Sequence, residues 1–418
     1  MNYSLIPDFL AMGGLVLVFA SLLRRTHQTR LRYWVVGWLM ILVHIIAQLV
    51  SSGLGEGRIA DAASAISLSM LLLTSVTFIW AGNNMQHAWR RDLLLTLLAT
   101  VPDLAFFACA AYDLESTAIY LPLTLLGMLS TLWLFRGGRC EAERAPPWWR
   151  LFSIFVAYAV QALLVLHASV EMALIWMLFS HYLAAAYFFY RGAPSATVGV
   201  IFTTLSFAAW AGVFPVADAL ATVWPQVHFD NEVWNLPKFL VATGMIFTLL
   251  EEQMGQAEHA ALHDPLTGLP NRRMFVRRFD AALLRAREQS CRIAVFVLDL
   301  NGFKQVNDLF GHAAGDALLQ AVAKRLQKSI RSNDTLARMG GDEFAVILPD
   351  LASTGMIDQL SKKLVGAFSE AIALDGHHVD IEASIGMASY PDDGENALHL
   401  YAIADHAMYV NKPVSDKV

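Results

Sequence analysis

Three carboxylates and two glycines carry the chemistry that can be read most directly from this chain. Asp299 ends the apolar run Ile293-Ala294-Val295-Phe296-Val297-Leu298. Asp342 and Glu343 follow Gly340 and Gly341 and precede a second run, Ala345-Val346-Ile347-Leu348. An unbroken apolar run of this length predicts a buried strand. The paired glycines predict a hairpin turn with positive φ, and without a Cβ they let a ligand approach the backbone. Adjacent acids on a strand-like backbone point to opposite faces, so one can bind a metal while the other does something else. If the two strands are neighbours, Asp299 and Asp342 can share a hard cation, and Mg²⁺ prefers a couple of carboxylates plus substrate phosphates. Two such ions can stabilise both sides of an in-line displacement at phosphorus. The loop Asn301-Gly302-Phe303-Lys304 offers backbone N–H groups and an ammonium to the rest of a polyphosphate. These residue types point to nucleotidyl transfer.

The elements that must position them alternate. Helical spacing runs from Asn271 to about Arg287. It returns in Leu318, Leu319, Val322, Leu326 and Ile330, then in Ile357, Leu360, Leu364, Phe368 and Ile372, and last from about Asn396 to Asn411. Residues 379–389 read as a strand after the turn Asp375-Gly376. The predicted order is α-β-α-β-β-α-β-α, one α/β domain with a mostly antiparallel sheet over residues 264–418.

The rest of the chain is of another kind. Of 418 residues, 56% are hydrophobic and only 16% charged, which implies membrane spans. The net charge of −6 argues against nucleic acid as a partner. Cys109, Cys140 and Cys291 make neither a disulfide framework nor a metal-ligand spacing. Residues 1–250 divide into apolar segments at about 5–23, 33–53, 62–82, 93–112, 116–135, 151–167, 171–190, 196–216 and 235–250, each near the roughly 20 residues that cross a bilayer. The first is read as a span and not as a cleaved leader. Arginines fill alternate loops: Arg24, Arg25, Arg30 and Arg32, then Arg90 and Arg91, then Arg136, Arg139, Arg144 and Arg150, then Arg191. The intervening loops carry acids such as Glu56, Asp61, Asp113, Glu115, Asp218 and Asp230. Positive charge marks the cytoplasmic side, so the N-terminus is expected outside and everything after about residue 250 inside.

Within the apolar runs stand His44, Asp103, His167, Glu171 and His181. A ligand or proton site between helices is one reading, and a haem or metal site using His44, His167 or His181 is another. The lack of paired His on one helix face favours segment ends and wet gaps between helices. Trp34, Trp89, Trp148, Trp149 and Tyr190 are expected as interfacial anchors. Residues 251–263 read as a helical linker, able to pair with its copy in a dimer, that stops at Asp264-Pro265.

Four motifs then resemble those of the GGDEF-domain diguanylate cyclases. They are Asp264-Pro265-Leu266-Thr267-Gly268-Leu269-Pro270-Asn271-Arg272, the stretch Leu298 to Asp308, Gly311-His312-Ala313-Ala314-Gly315-Asp316, and Arg338-Met339-Gly340-Gly341-Asp342-Glu343-Phe344. The resemblance implies a polytopic α-helical membrane domain, a sensor of unspecified signal, followed by an α/β GGDEF domain like that of nucleotidyl cyclases. It implies conversion of two GTP into cyclic di-GMP and two pyrophosphates with Mg²⁺ (or Mn²⁺), in a homodimer at a bacterial inner membrane.

By the same resemblance, Asp299, the Leu300 carbonyl and Asp342 would hold metal. Glu343 would be a further ligand or would help deprotonate the attacking 3′-OH. Phe303, Lys304, Gly340, Gly341 and Lys412 would meet the phosphates, and Asn307 and Asp316 would read guanine. A carboxylate accepts both the N1–H and the exocyclic amine of guanine, a donor pair that adenine lacks. Arg331 and Asp334, in Arg331-Ser332-Asn333-Asp334, match the family's inhibitory product site. Asn301 stands where many members have a second aspartate. The tail Pro413 to Val418, with Asp416 in place of a phosphate-binding arginine, departs from the family's Gly-Arg-Asn-like end. Two alternatives remain: a catalytically weak domain that acts as a receptor for cyclic di-GMP or GTP, and a transporter that the cytoplasmic half regulates.

Overall fold

A computed structural model describes residues 5–26, 28–54, 57–82, 89–114, 116–137, 148–167, 169–226, 231–351, 354–374 and 377–413. The predicted turn Asp375-Gly376, the tail beyond Pro413, Cys140, and the loop residues Glu56, Glu115, Arg139, Arg144 and Asp230 lie outside them, as does the side chain of Trp89. The chain divides into two compact units, Met1–Glu252 and Gln253–Val418.

The first unit is helical: α1 (Leu5–Thr26), α2 (Thr29–Leu54), α3 (Arg58–Gly82), α4 (Trp89–Ala111), α5 (Thr117–Gly137), α6 (Trp148–His167), α7 (Val170–Gly192), α8 (Val198–Val223) and α9 (Asn231–Leu262), the last of which crosses the boundary between units. Among the described residues, nine helices are long and apolar enough to cross a membrane. Large apolar side chains such as Leu17 and Ile59 remain exposed on these helices.

The interior is aromatic. Trp38 stacks on Trp210 at 6.3 Å between ring centroids, and Tyr182 lies 4.3 Å from Trp210. Trp34 belongs to this core, stacked on Phe189 and 1% exposed, so it is not an interfacial anchor. Trp148, Trp149 and Tyr190 are exposed as anchors should be. Gly192 faces Gly82 so closely that a Cβ would fall 1.6 Å from the Gly82 carbonyl oxygen, and the α3 and α7 backbones meet there. Arg30 makes a bidentate pair with Glu252 at 2.8 and 2.9 Å.

His167 and Glu171 do sit at helix ends. His44 and Asp103 do not: both are buried within the bundle, His44 against Ser67 and Asp103 accepting from Tyr158 Oη at 2.9 Å. Tertiary packing supplies those partners from other helices, which helix spacing alone does not reveal.

The second unit contains α10 (Arg272–Gln289), β1 (Arg292–Asn301), α11 (Phe303–Phe310), α12 (His312–Ser329), β2 (Thr335–Gly340), β3 (Glu343–Leu351), α13 (Thr354–Gly366), β4 (Ile372–Leu374), β5 (His377–Val379), β6 (Glu382–Tyr390) and α14 (Ala397–Val410). The main sheet has the order β2-β3-β1-β6, every pair antiparallel. Three short elements, α11 and the β4–β5 hairpin, were not anticipated. An eight-residue helix offers too few apolar positions for a period to register.

β1 has neighbours on both edges and is buried on both faces. Ala294, Phe296, Leu298 and Leu300 pack with α12 and α13, and Ile293, Val295 and Val297 with α10 and α14. Period-two alternation therefore sends Asp299 to the α14 face. Gly386 of β6 holds α14 tight to the sheet, since a Cβ there would lie 2.0 Å from the Ala404 carbonyl oxygen.

Candidate active site

The antiparallel register sets Glu343 of β3 directly opposite Asp299 of β1. Directly opposed residues share a face, with Cβ atoms about 5 Å apart. Asp342 belongs to the turn before β3, where Gly340 has φ +147° and Gly341 +54°. The alternation of a strand therefore does not extend to Asp342, and both acids feel Asp299. Burial, then repulsion from Asp299, raises the Asp342 carboxyl above its ordinary range, against the pull of Lys412 and Arg338. Burial raises Glu343 too, followed by Asp299, Asp405 and Asp342.

One ammonium answers these acids. Lys412 Nζ lies 2.9 Å from Asp299 Oδ1, just beyond the C-terminal cap of α14. Burial alone would lower the lysine, but the bond to Asp299 and the charges of Asp342 and Glu343 raise it. The cluster keeps an excess of negative charge on hard oxygen donors, which suits a hard divalent cation. Among the described residues no three His, Cys, Asp or Glu side chains form a complete metal cage. Mg²⁺ does not need one, since it is commonly held by one or two carboxylates, substrate phosphates and water.

The turn itself is braced. Arg338 donates from Nε and Nη2 to the Gly341 carbonyl at 3.0 and 2.7 Å, and from Nη1 to both Asp264 oxygens at 3.0 and 3.1 Å. Asp264 also accepts from the Thr267 amide and hydroxyl at 2.8 and 2.7 Å. Although burial pushes it up, these bonds and the Arg338 charge hold the Asp264 carboxyl below its ordinary value. Asp264 and Arg338 both lie in the quoted motifs, yet nothing in the spacing joined them. Asp405, on α14, was likewise missed because its link to Glu343 exists only across the fold.

The loop after β1 turns at Gly302, φ +74°, into α11, so Phe303 and exposed Lys304 stand at a helix start where free N–H groups favour anions. Asn301 accepts from the Ser384 hydroxyl at 2.8 Å. Asn307 of α11 lies against Gly315 of α12, whose Cβ, if present, would be 2.0 Å from Asn307 Oδ1. Asp316 follows, exposed, so the two expected guanine readers share one corner.

Arg331 and Asp334 sit elsewhere, at a cleft of about 280 Å³ also lined by Arg278, Gln327 and Ile330. Asp334 accepts from the Arg331 amide at 2.7 Å. Burial raises its carboxyl, opposed by that bond and by the Arg331 charge. Arg278, far away in sequence, adds a second guanidinium to the cleft.

Comparison with known proteins identifies the family of the second unit. Residues 261–416 match the family described as diguanylate cyclase, GGDEF domain. That segment is a GGDEF domain. MucR of Pseudomonas aeruginosa, a bifunctional diguanylate cyclase/cyclic di-GMP phosphodiesterase, is 42% identical over 167 residues, 40% of this chain and 24% of MucR. The diguanylate cyclase TpbB of the same species is 40% identical over 164 residues, 39% of this chain and 38% of TpbB. A solved structure of an N-terminally truncated TpbB comprising only its GGDEF domain is 41% identical, covering 36% of this chain and 87% of that one, with a TM-score of 0.35. The chain thus spans less than two fifths of the length of these curated relatives, and the likeness lies in the GGDEF domain.

Proposed function

We propose that this chain is a membrane-anchored diguanylate cyclase that joins two GTP into cyclic di-GMP and releases two pyrophosphates. The observation that carries the reading is the register of Asp299 with Glu343 beside the Gly340–Gly341 turn, inside a GGDEF domain. Asp299, Asp342, Glu343 and the Leu300 carbonyl would hold Mg²⁺ or Mn²⁺. When bound, the ion supplies charge neutralisation at phosphate oxygens.

The chain's own groups do the rest. Phe303, Lys304 and the start of α11, with Gly340 and Gly341, cradle phosphates. Asn307 and Asp316 select guanine. Lys412 balances Asp299 and reaches toward phosphate. Glu343, whose carboxyl burial and the neighbouring acids raise above its ordinary range, is the group suited to take the proton of the 3′-OH. That oxygen attacks the α-phosphorus of a second GTP and the P–O bond to pyrophosphate breaks. Since each domain holds one GTP and the product has two linkages, two domains must meet face to face, and a homodimer is part of the catalytic step. The cleft at Arg331, Asp334 and Arg278 takes product as an inhibitor through bidentate contacts to guanine or phosphate edges.

The nine apolar helices among the described residues and the alternation of arginine loops support an inner-membrane location, with the N-terminus outside and the GGDEF domain in the cytoplasm. The membrane unit, residues 1–250, serves as sensor and 251–263 as linker to the catalytic residues 264–418.

A second reading, a receptor without turnover, draws on the Lys412–Asp299 pair, which ties up a metal ligand. Purified full-length protein in nanodiscs, incubated with GTP and Mg²⁺, separates the two. Cyclic di-GMP that disappears in Asp342→Ala supports the cyclase. A dimeric sample that binds GTP but releases no pyrophosphate makes it a receptor.

A further inference from the structure

The membrane unit contains a half-open pocket that the proposed cyclase does not use. It has a volume of about 170 Å³ and is lined by Leu5, His44, Gln48, Leu71, Trp210, Val213, Phe214, Trp234, Asn235 and Lys238. Trp210, Phe214 and Leu71 supply apolar surface, and Lys238, Asn235, Gln48 and His44 supply an ammonium, two carboxamides and an imidazole.

The polar groups are organised. Lys238 donates to Asn235 Oδ1 at 2.6 Å. Asn235 Nδ2 in turn donates to Asp8 Oδ2, so the carboxamide stands between the two charges. Among the described residues Asp8 and Lys238 form no direct ion pair. An ammonium has three donors, and Asn235 takes one of Lys238's. His44 Nδ1 lies 3.0 Å from the Ser67 carbonyl and 2.9 Å from Ser67 Oγ. The carbonyl can only accept, so Nδ1 carries the proton and donates to Ser67. Lys238 is then the cationic donor of this lining, beside the Gln48 carboxamide.

We infer that this cavity is a binding site for a small aromatic carboxylate, its ring against Trp210 and Phe214 and its carboxylate on Lys238. The lining and size set the class: Trp210 and Phe214 offer ring faces, and since a cavity of about 150 Å³ takes a benzene, this one holds a single ring with its acid group. A cation inside a lipid-facing bundle is costly and marks a functional site. The lining residues come from the start of α1, the second half of α2, the middle of α3, the second half of α8 and the start of α9. These cluster toward the side that the loop charges assign to the outside. Lys238 stands about 10 Å along α9 from its start, at ~1.5 Å per residue. The same helix ends at Leu262, beside the GGDEF domain's first motif.

The test is equilibrium dialysis of radiolabelled benzoate with the full chain in nanodiscs. Binding is the readout, so the result stands apart from whether the chain turns over GTP. Benzoate is expected to bind roughly ten- to a hundredfold more tightly than benzamide, the factor carried by hydrogen bonds to a charged group. Lys238→Met should remove that preference. Leu71→Phe, which fills the space, should remove binding of both. Laurate should associate no more than with empty nanodiscs. Equal affinity for benzoate and benzamide on the unaltered chain would overturn the inference, even if both variants fail to fold. So would absence of benzoate binding, or laurate binding that depends on Lys238.

Discussion

Arg338 is the residue whose removal tests the architecture of the site most sharply. It ties the Gly341 carbonyl to Asp264 through four hydrogen bonds, and its side chain and that of Asp264 are only 12% and 17% exposed. Arg338→Met keeps most of the packing and deletes every one of these bonds. Removing one partner of a buried pair costs about 3–5 kcal/mol. Thr267 still gives Asp264 two hydrogen bonds, and both side chains touch solvent, so about 2–3 kcal/mol is expected. For a unit of this size that lowers Tm by about 5–10 °C.

The assay is thermal and urea unfolding of residues 253–418, which carry their own two cores. A cycle with Asp264→Asn and the double variant should return a coupling of about 1–2 kcal/mol. Asp264 has a folded pKa below its unfolded one. Its stabilisation is therefore present above the unfolded value, about 3.9, and is lost as pH falls through the lower folded value. Asp264→Asn should flatten that acid limb. A coupling near zero, or an unchanged limb, would refute the view that this pair braces the turn.

The acids of the site behave in the opposite sense. Asp342 and Glu343 are raised in the folded chain, so their contribution to stability is present below their unfolded values and lost as pH rises through the folded ones. Mg²⁺ should therefore raise the Tm of residues 253–418 at neutral pH and much less near pH ~4, where protons compete for the carboxylates; an equal rise at both would count against a metal on these groups. Gly315→Ala should push Asn307 aside and raise KM for GTP about five- to tenfold, the worth of one hydrogen bond, with kcat nearly unchanged. An unaltered KM would remove Asn307 from guanine recognition. Arg331→Ala, and independently Arg278→Ala, should weaken inhibition by cyclic di-GMP about tenfold or more without lowering the initial rate; an unchanged inhibition curve for both would leave the cleft without a role in feedback.

Much of the chemistry was legible in the chain because it is local. Asp299 at the end of an apolar run, two glycines before Asp342 and Glu343, and Lys304 after Gly302 are all set by neighbours in sequence, and composition alone separates an apolar half from a mixed one. Tertiary structure decided what those neighbours meet. Whether Glu343 lies opposite Asp299 depends on strand order and register, and an antiparallel β1–β3 pairing settles both at once. The exclusion of Asp342 from strand alternation follows from the positive φ of Gly341, so two acids expected on opposite faces share one field. The ties of Arg338 to Asp264, Lys412 to Asp299, and Arg278 to the Arg331 cleft join residues far apart in the chain, where no periodicity can report on them. The same holds in the apolar half: the sequence places His44 within a span, and only the packing of five helices brings it to one cavity with Lys238.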